Sequence, residues 1–278
     1  MEFCDIGLNL TDGMFQGYYN GKRKHQADIA SVLQRSAENG VKQCILTGCT
    51  VDGTAESLEL CKAHSSAVEL YCTAGVHPTH SNDFVGQEDV IVSQLESFII
   101  NDSDRRIVAI GECGLDYDRL HFSTREQQLR GFQLQLDLSM RLARPLPLFL
   151  HNRNTDGDFI RIIRDQRDKI PRGGVVHSFT GSMEEMRELI DLGLYIGVNG
   201  CSLKSEENLA VVREIPLEYM LIETDAPWCG IKNTHAGAQY VKTKFPTKKP
   251  EKYEDGSLVK DRNEPCMICQ VRTTAMLC

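Results

Sequence analysis

Short apolar runs alternate with longer segments of helical period along most of the chain. Apolar-rich stretches at 3–8, 41–46, 70–75, 107–111, 146–150, 175–176, 194–198 and 219–222 have the length and composition of buried strands. Between them, apolar positions recur at helical spacing over 25–39, 52–64, 89–100, 156–167, 182–192 and 206–214. In the first of these, Ile29, Val32, Leu33 and Ala37 share a face, and Gly40 stands just past the end, where a helix stops. Ser123 with Glu126 has the form of a capping box and predicts a helix from there to about Leu142. Ser182 with Glu185 predicts another.

Strand followed by helix, repeated about eight times, implies a parallel sheet covered by helices. Eight such units point to a closed TIM (β/α)8 barrel rather than an open sheet. No linker composition interrupts residues 1–225, so one domain over 1–265 is expected, with 266–278 as a short atypical tail. An eighth helix should follow the strand at 219–222. The chain runs instead through a loop rich in Lys, Gly and Pro to Asp261, and 267–277 is short and weakly patterned. The terminal helix is therefore expected to be missing.

The 278 residues are 41% hydrophobic, enough for one large core. A net charge of -8 argues against coating nucleic acid through bulk charge, though not against a local site. No apolar run approaches the roughly 18 residues of a membrane helix. The opening MEFCDIGLNLTDG lacks the basic start and apolar stretch of a signal peptide. The 11 cysteines are odd in number and scattered, several of them (Cys44, Cys72, Cys113) inside apolar runs. That pattern fits free thiols in a reducing compartment, nucleus or cytoplasm. Cys266 and Cys269 form a C-x-x-C without a second pair, which reads as two ordinary cysteines more readily than as half a zinc site.

The stretch VAIGECGL at 108–115 raises the chemical question, because a core strand runs straight into Glu112. An ionised carboxylate is costly to bury unless something pairs with it. The other predicted strands also end in chemistry-bearing residues: His77, His151, His177 and Asp225. In a barrel these ends share the rim that carries active sites. Alone, each has a structural reading: a hydrogen-bonded His, an ion-paired Glu, a capping Asp. Together they make a nitrogen and oxygen donor set for Mg2+, Mn2+ or Zn2+. Glu112 is then expected to hold metal, shared between two ions. Such a pair clamps the attacking water and the leaving oxygen of a phosphodiester.

The motifs DIGLNLT (5–11), GVHP (75–78), AIGECGLDYDR (109–119), FLHNR (149–153), VVHSFTG (175–181), YIGVNG (195–200), LIETDAPW (221–228) and RNEP (262–265) resemble those of the TatD family of metal-dependent deoxyribonucleases, in its eukaryotic branch. They run in the same order over about 3–265. The resemblance implies a barrel of the amidohydrolase-like type and Mg2+-dependent hydrolysis of DNA, typically as a 3′→5′ exonuclease, with endonuclease action as a variant. It implies that Glu112 bridges two metals, with His151 and His177 on one and Asp225 on the other. His77 would stand beside the phosphate or the attacking water. Many relatives begin with H-x-H, where this chain has Gly7-Leu8-Asn9; one metal should then be held loosely, which favours Mg2+ with its retained waters. Asn152 stands where Cys is frequent, and the family's long terminal helix is replaced by a dissimilar tail.

Arg119 and Arg153, beside ligand motifs, are candidates for contacting the scissile phosphate. Lys248 and Lys249, in a basic run around Phe245, are further candidates, although such runs are commonly just a solvated face. DNA is the expected partner, with no membrane and no protein partner indicated. Rival readings are hydrolysis of another ester or amide, as in a D-aminoacyl-tRNA deacylase, and an inactive binding form lacking the terminal helix. No lysine occupies a bridging strand end, as a carbamylated-lysine amidohydrolase would need.

Overall fold

The predicted apolar runs become the staves of one barrel. A computed structural model describes residues 1–63 and 68–278. Among these, eight parallel strands follow each other around one sheet in chain order. They are β1 (Phe3–Leu8), β2 (Val41–Leu46), β3 (Glu69–Ala74), β4 (Ile107–Asp116), β5 (Leu148–Arg153), β6 (Gly174–Val176), β7 (Leu194–Val198) and β8 (Met220–Ile222). The helices α1 (Ile29–Glu38), α2 (Val51–Ala63), α3 (Glu88–Ile100), α4 (Arg125–Arg141), α5 (Asp158–Asp165), α6 (Met183–Asp191) and α7 (Glu206–Glu214) alternate with them. The expected end of α2 at His64 lies outside the described residues. Among the described residues, no helix is long and apolar enough to cross a membrane.

Alternation along the strands divides the core in two. Ile6, Ala109, Phe149 and Val175, with Cys4, Ile45 and Leu221 against them, form a small separate cluster drawn from six different strands. The larger cluster packs strand residues such as Leu8, Cys44, Leu70 and Val198 with Leu33, Leu95, Phe132 and Leu209 of the helices. This is the filled interior and outer helix ring that a TIM barrel requires.

The seam between β1 and β8 is closed by a few specific bonds. Asp225 N donates to Gly7 O at 2.8 Å and Asn9 N to Ala226 O at 2.8 Å. The buried Asp5 carboxylate accepts from Thr224 N at 2.9 Å and from Thr224 Oγ1 at 2.5 Å. The RNEP segment braces the same corner. Fully buried Arg262 donates to both Asp28 oxygens (2.8 and 2.6 Å) and to Glu264 at 2.8 Å, while Arg35 Nε donates to Glu264 at 3.0 Å. Asn263 Nδ2 donates to Thr224 O and Trp228 O, at 2.9 and 2.8 Å, and so holds the loop that carries Asp225.

Three expectations are corrected. The fourth strand does not stop at Gly111 but runs to Asp116. Its pairing with β5 shifts register between Ile110 and Cys113, around Gly111 and Gly114, both at φ 140°. A side chain at either glycine would collide with the β5 backbone, so these glycines permit close approach within a bulged strand rather than end it. The capping box of α4 sits one residue later than read: Thr124 caps, with Gln127 reciprocating. Ser123 is used elsewhere, donating to Thr79 O and accepting from Asn82 N. Finally, the terminal helix is not missing. Ile268–Leu277 forms α8, burying Ile268, Val271 and Thr274. It packs against α7 and β8. Its buried stripe is narrow and includes a threonine, which is why periodicity understated it.

Burial raises the Asp5 carboxyl from an ordinary 3.8 to about 7, against the hydrogen bonds from Thr224 that lower it. The native state thus binds the extra proton between about pH 4 and pH 7, and stability falls as pH rises through that window. Asp5→Asn removes the ionisation. We expect the variant's stability relative to the parent to improve by on the order of 4 kcal/mol between pH 4 and pH 8, read from denaturant melts of metal-free protein. Parallel pH profiles for the two proteins would count against this account of the seam.

Candidate metal centre

Three imidazoles meet one carboxylate oxygen at the mouth of the barrel. Glu112 Oε1 lies 3.2 Å from His77 Nε2, 2.8 Å from His151 Nδ1 and 2.7 Å from His177 Nε2. All four side chains are buried. His77, three residues beyond β3, is aimed by its other nitrogen: Nδ1 accepts from Thr79 N at 3.1 Å and lies 2.7 Å from Thr79 Oγ1. His151 projects from β5 and carries Asp116 Oδ2 on its Nε2 at 3.1 Å. His177 follows directly on β6, and its Nδ1 lies 3.4 Å from Glu223 Oε1. Glu112 Oε2 faces the Cys49 thiol at 3.7 Å.

Asp225, three residues past β8, sits in the left-handed region at φ 53°. Few non-glycine residues adopt that conformation, Asp among the more tolerant. It is imposed by the backbone bond to Gly7 and the neighbouring turn to Trp228. Its carboxylate accepts from Asn9 Nδ2 at 2.8 Å and from the Cys229 thiol at 3.0 Å. Thr47 Oγ1 donates to Asn9 Oδ1 at 2.5 Å and fixes which way that amide points.

The Gly7-Leu8-Asn9 stretch has a structural counterpart in Glu223. A Cβ on Gly7 would lie 2.5 Å from Glu223 Oε2, so the space a side chain at position 7 would need is taken by this carboxylate. Glu223 Oε1 accepts from Ser178 N at 2.6 Å and Asn199 Nδ2 at 3.1 Å. Among the described residues, its Oε2 is buried without a hydrogen-bond partner, as is His177 Nδ1. Buried polar atoms seldom go unpaired.

The electrostatics follow from burial and this crowding. Burial pushes the Glu112 carboxyl up, but His177, His77 and the imidazole hydrogen bonds outweigh it and hold the group well below the usual range. Burial pushes His177 down, but Glu112 and Glu223 together hold it well above the ordinary imidazole value. His77 is lowered, chiefly by burial, Glu112 opposing only in part. One carboxylate thus supports an imidazolium at His177, where a second carboxylate helps. Burial raises Asp225 to about 6.

His77, Glu112 and His151 each offer a ligand atom, all within 4.8 Å of one another. Imidazole nitrogens and carboxylate oxygens are a donor set for hard or borderline divalent ions, and the unpartnered Glu223 oxygen fits the same demand. Of the residues named from sequence, the structure therefore gathers His77, Glu112, His151 and His177 around one atom and sets Asp225 close enough for its charge to interact with His177 and Glu112. Arg119 and Arg153 flank the group, with nitrogens 3.7 and 3.9 Å from Asp116 Oδ2. Lys248 pairs with Glu254 instead, on a short ribbon of 247–248 with 258–259. Among the described residues, neither Lys248 nor Lys249 pairs with the candidate ligands.

The strand-end reading assigns no role to Asp116, Asn9, Glu223, Cys49 or Cys229. Asp116 lay inside a quoted motif, four residues beyond Glu112, and its regular spacing along an extended strand was hidden by the two glycines. Asn9 was noted only for what it replaces. Nothing in the local pattern marks Cys49 or Cys229.

Comparison with known proteins places this geometry. The family model of TatD related DNases matches residues 5–274. The chain is 45% identical to Deoxyribonuclease Tat-D of Schizosaccharomyces pombe, over 96% of this chain and 86% of that protein. It is 38% identical to the 3′-5′ ssDNA/RNA exonuclease TatD of Citrobacter koseri, over 81% of this chain and 78% of that one. Among solved structures, a hydrolase TatD family protein from Entamoeba histolytica superposes with a TM-score of 0.92 at 39% identity, covering 99% of this chain and 90% of that chain.

The charge balance makes a direct prediction for the metal-stripped protein. In Glu112→Gln, His177 loses the larger of its two stabilising carboxylates. Its imidazole, followed by NMR, should lose its proton at distinctly lower pH than in the parent protein. An unmoved His177 midpoint would show that Glu112 does not govern the charge of the cluster.

Proposed function

Because the chain belongs to the TatD family of DNases, hydrolases acting on ester bonds, we propose that it hydrolyses DNA phosphodiester bonds with divalent metal, working from 3′ ends. The observation that carries this reading is the convergence of His77, His151 and His177 on Glu112 Oε1 at one barrel rim. In this reading Glu112, His151, His177 and Asp225 hold two ions, with Mg2+ favoured over Mn2+ or Zn2+ by the oxygen-rich surroundings. Bound there, the ions supply positive charge against the phosphate oxygens and acidify an attacking water.

The chain's own residues do the rest. Asn9 and Thr47 hold the Asp225 carboxylate to one orientation. Asp116 steadies His151 from behind, as carboxylates behind ligand imidazoles do. His77 Nε2 is directed into the centre because Thr79 occupies Nδ1. With Nδ1 accepting from Thr79 N, neutral His77 carries its hydrogen on Nε2 and can donate it to a phosphate oxygen. Arg119 and Arg153 are exposed enough to reach a substrate, and their shared partner Asp116 keeps them beside the site. They are guanidinium candidates for the scissile phosphate, whose charge a guanidinium matches in two-pronged fashion. Lys248 and Lys249 would serve only as outer contacts along the strand.

Digestion of single-stranded DNA labelled at the 5′ or the 3′ end, with Mg2+ and with chelator, tests the reading. Glu112→Ala and Asp225→Ala should abolish cleavage while leaving the barrel folded, since neither carboxylate is needed for strand pairing. Folded variants that digest at the parental rate would defeat it. Binding under varied salt tests the cations separately. Arg153→Ala should reduce the log–log salt slope by about 0.7 for a single strand, and the Lys248→Ala/Lys249→Ala pair should flatten it further. An unchanged slope in the double lysine variant would put that loop off the substrate path.

A further inference from the structure

Two thiols stand together on the rim beside Asp225. Cys201 follows β7 and Cys229 follows β8, and their Sγ atoms are 3.0 Å apart. Both are free and partly exposed. The Cys229 thiol also donates to Asp225 Oδ2 at 3.0 Å. The two loops are pressed together here. A side chain on Gly200 would collide with the Cys229 carbonyl, so only glycine allows this approach. Asn199 Oδ1 in turn accepts from Cys201 N at 2.9 Å and shapes the turn that presents the first thiol. A disulfide has its sulfurs roughly 2.05 Å apart, so about 1 Å of side-chain movement would join them.

We propose that Cys201 and Cys229 are a peroxide-responsive dithiol whose disulfide removes the thiol donor from Asp225 and so weakens the metal centre. One thiol attacks the O–O bond of hydrogen peroxide, giving a sulfenic acid and one water. The second thiol attacks that sulfur, its hydrogen leaving with the hydroxyl as a second water. Two thiols and one peroxide thus become one disulfide and two waters. Cys229 then has no hydrogen to donate, and Asp225 is left with Asn9 alone. Of the other nine thiols, Cys44, Cys61, Cys72, Cys113 and Cys266 are buried, and Cys4, Cys49, Cys269 and Cys278 are partly exposed, with Cys269 turned to the Cys266 carbonyl and Cys278 to that of Ala275. The disulfide stands apart from the functional reading, whereas its consequence rests on Asp225 being a ligand.

The test uses the full chain, reduced, stripped of metal with chelator, and exposed to limiting hydrogen peroxide before alkylation and peptide mapping. The expected product is a Cys201–Cys229 linked peptide, with a loss of two free thiols that dithiothreitol reverses. Thermal melts then follow the Tm gain on adding Mg2+, since a ligand bound to the native state raises Tm. That gain should be smaller in the oxidised protein than in the reduced one. Cys201→Ser keeps the Cys229 bond to Asp225 and should show the full gain with or without peroxide. Linkage appearing first elsewhere, as at Cys61–Cys72 or Cys266–Cys269, would overturn the assignment. A mapped Cys201–Cys229 disulfide with an unchanged Mg2+ gain would overturn the coupling to Asp225. A reduced protein with no gain at all would overturn the metal reading, and the coupling with it, while the mapped disulfide would stand.

Discussion

A carboxylate buried at the centre of the barrel mouth sets the terms for everything around it. Glu112 is 5% exposed. An isolated ionised carboxylate at such a depth would shift its pKa and neutralise. It stays ionised because imidazoles from three other strand ends reach the same oxygen. That demand explains much of the local architecture. Gly111 and Gly114 let β4 bulge against β5 and turn Glu112 inward. Thr79 aims His77, Asp116 backs His151, and Glu223 backs His177. A cluster holding this much polar density in a low-dielectric site is poised for a cation, which would satisfy several lone pairs at once.

The second constraint is closure. Strands β1 and β8 are the furthest apart in sequence and meet through a handful of bonds rather than a long ladder. The same bonds define the position of Asp225: its amide is tied to Gly7, and its side chain to Asn9. Arg262 and Asn263 reinforce the corner from outside by linking α1, the Asp225 loop and the segment leading into α8. Barrel stability and site geometry are therefore one problem at this seam. The buried Asp5 shows how tightly it is drawn, since hydrogen bonds from Thr224 and Gly7 offset only part of the cost of burying its charge.

The chain also shows how a familiar frame accommodates a change in its donors. Where many relatives are expected to place an imidazole pair, Gly7 leaves room for a buried carboxylate and Asn9 becomes a positioning amide.

How much of this was legible beforehand depends on the range of the interaction involved. Strand and helix alternation is local periodicity, and elements such as Leu194–Val198 and Glu206–Glu214 stand where it put them. The strand-end pattern named Glu112, His77, His151, His177 and Asp225 because barrel topology turns dispersed strand ends into neighbours. Local signals failed where tertiary contact overrode them. Gly111 reads as a stop but serves a close approach, Ser123 reads as a cap but ties down the loop at Thr79, and 267–277 reads as short and weakly patterned but forms a helix held by α7 and β8. The sulfur–sulfur contact of Cys201 with Cys229, the Asn9 bond to Asp225 and the Glu223 space at Gly7 lie between loops and strands far apart in the chain. Sequence determined which residues could serve at the rim, through composition and period. Only the closed barrel decided which of them touch, because those distances depend on long-range packing that no local pattern encodes.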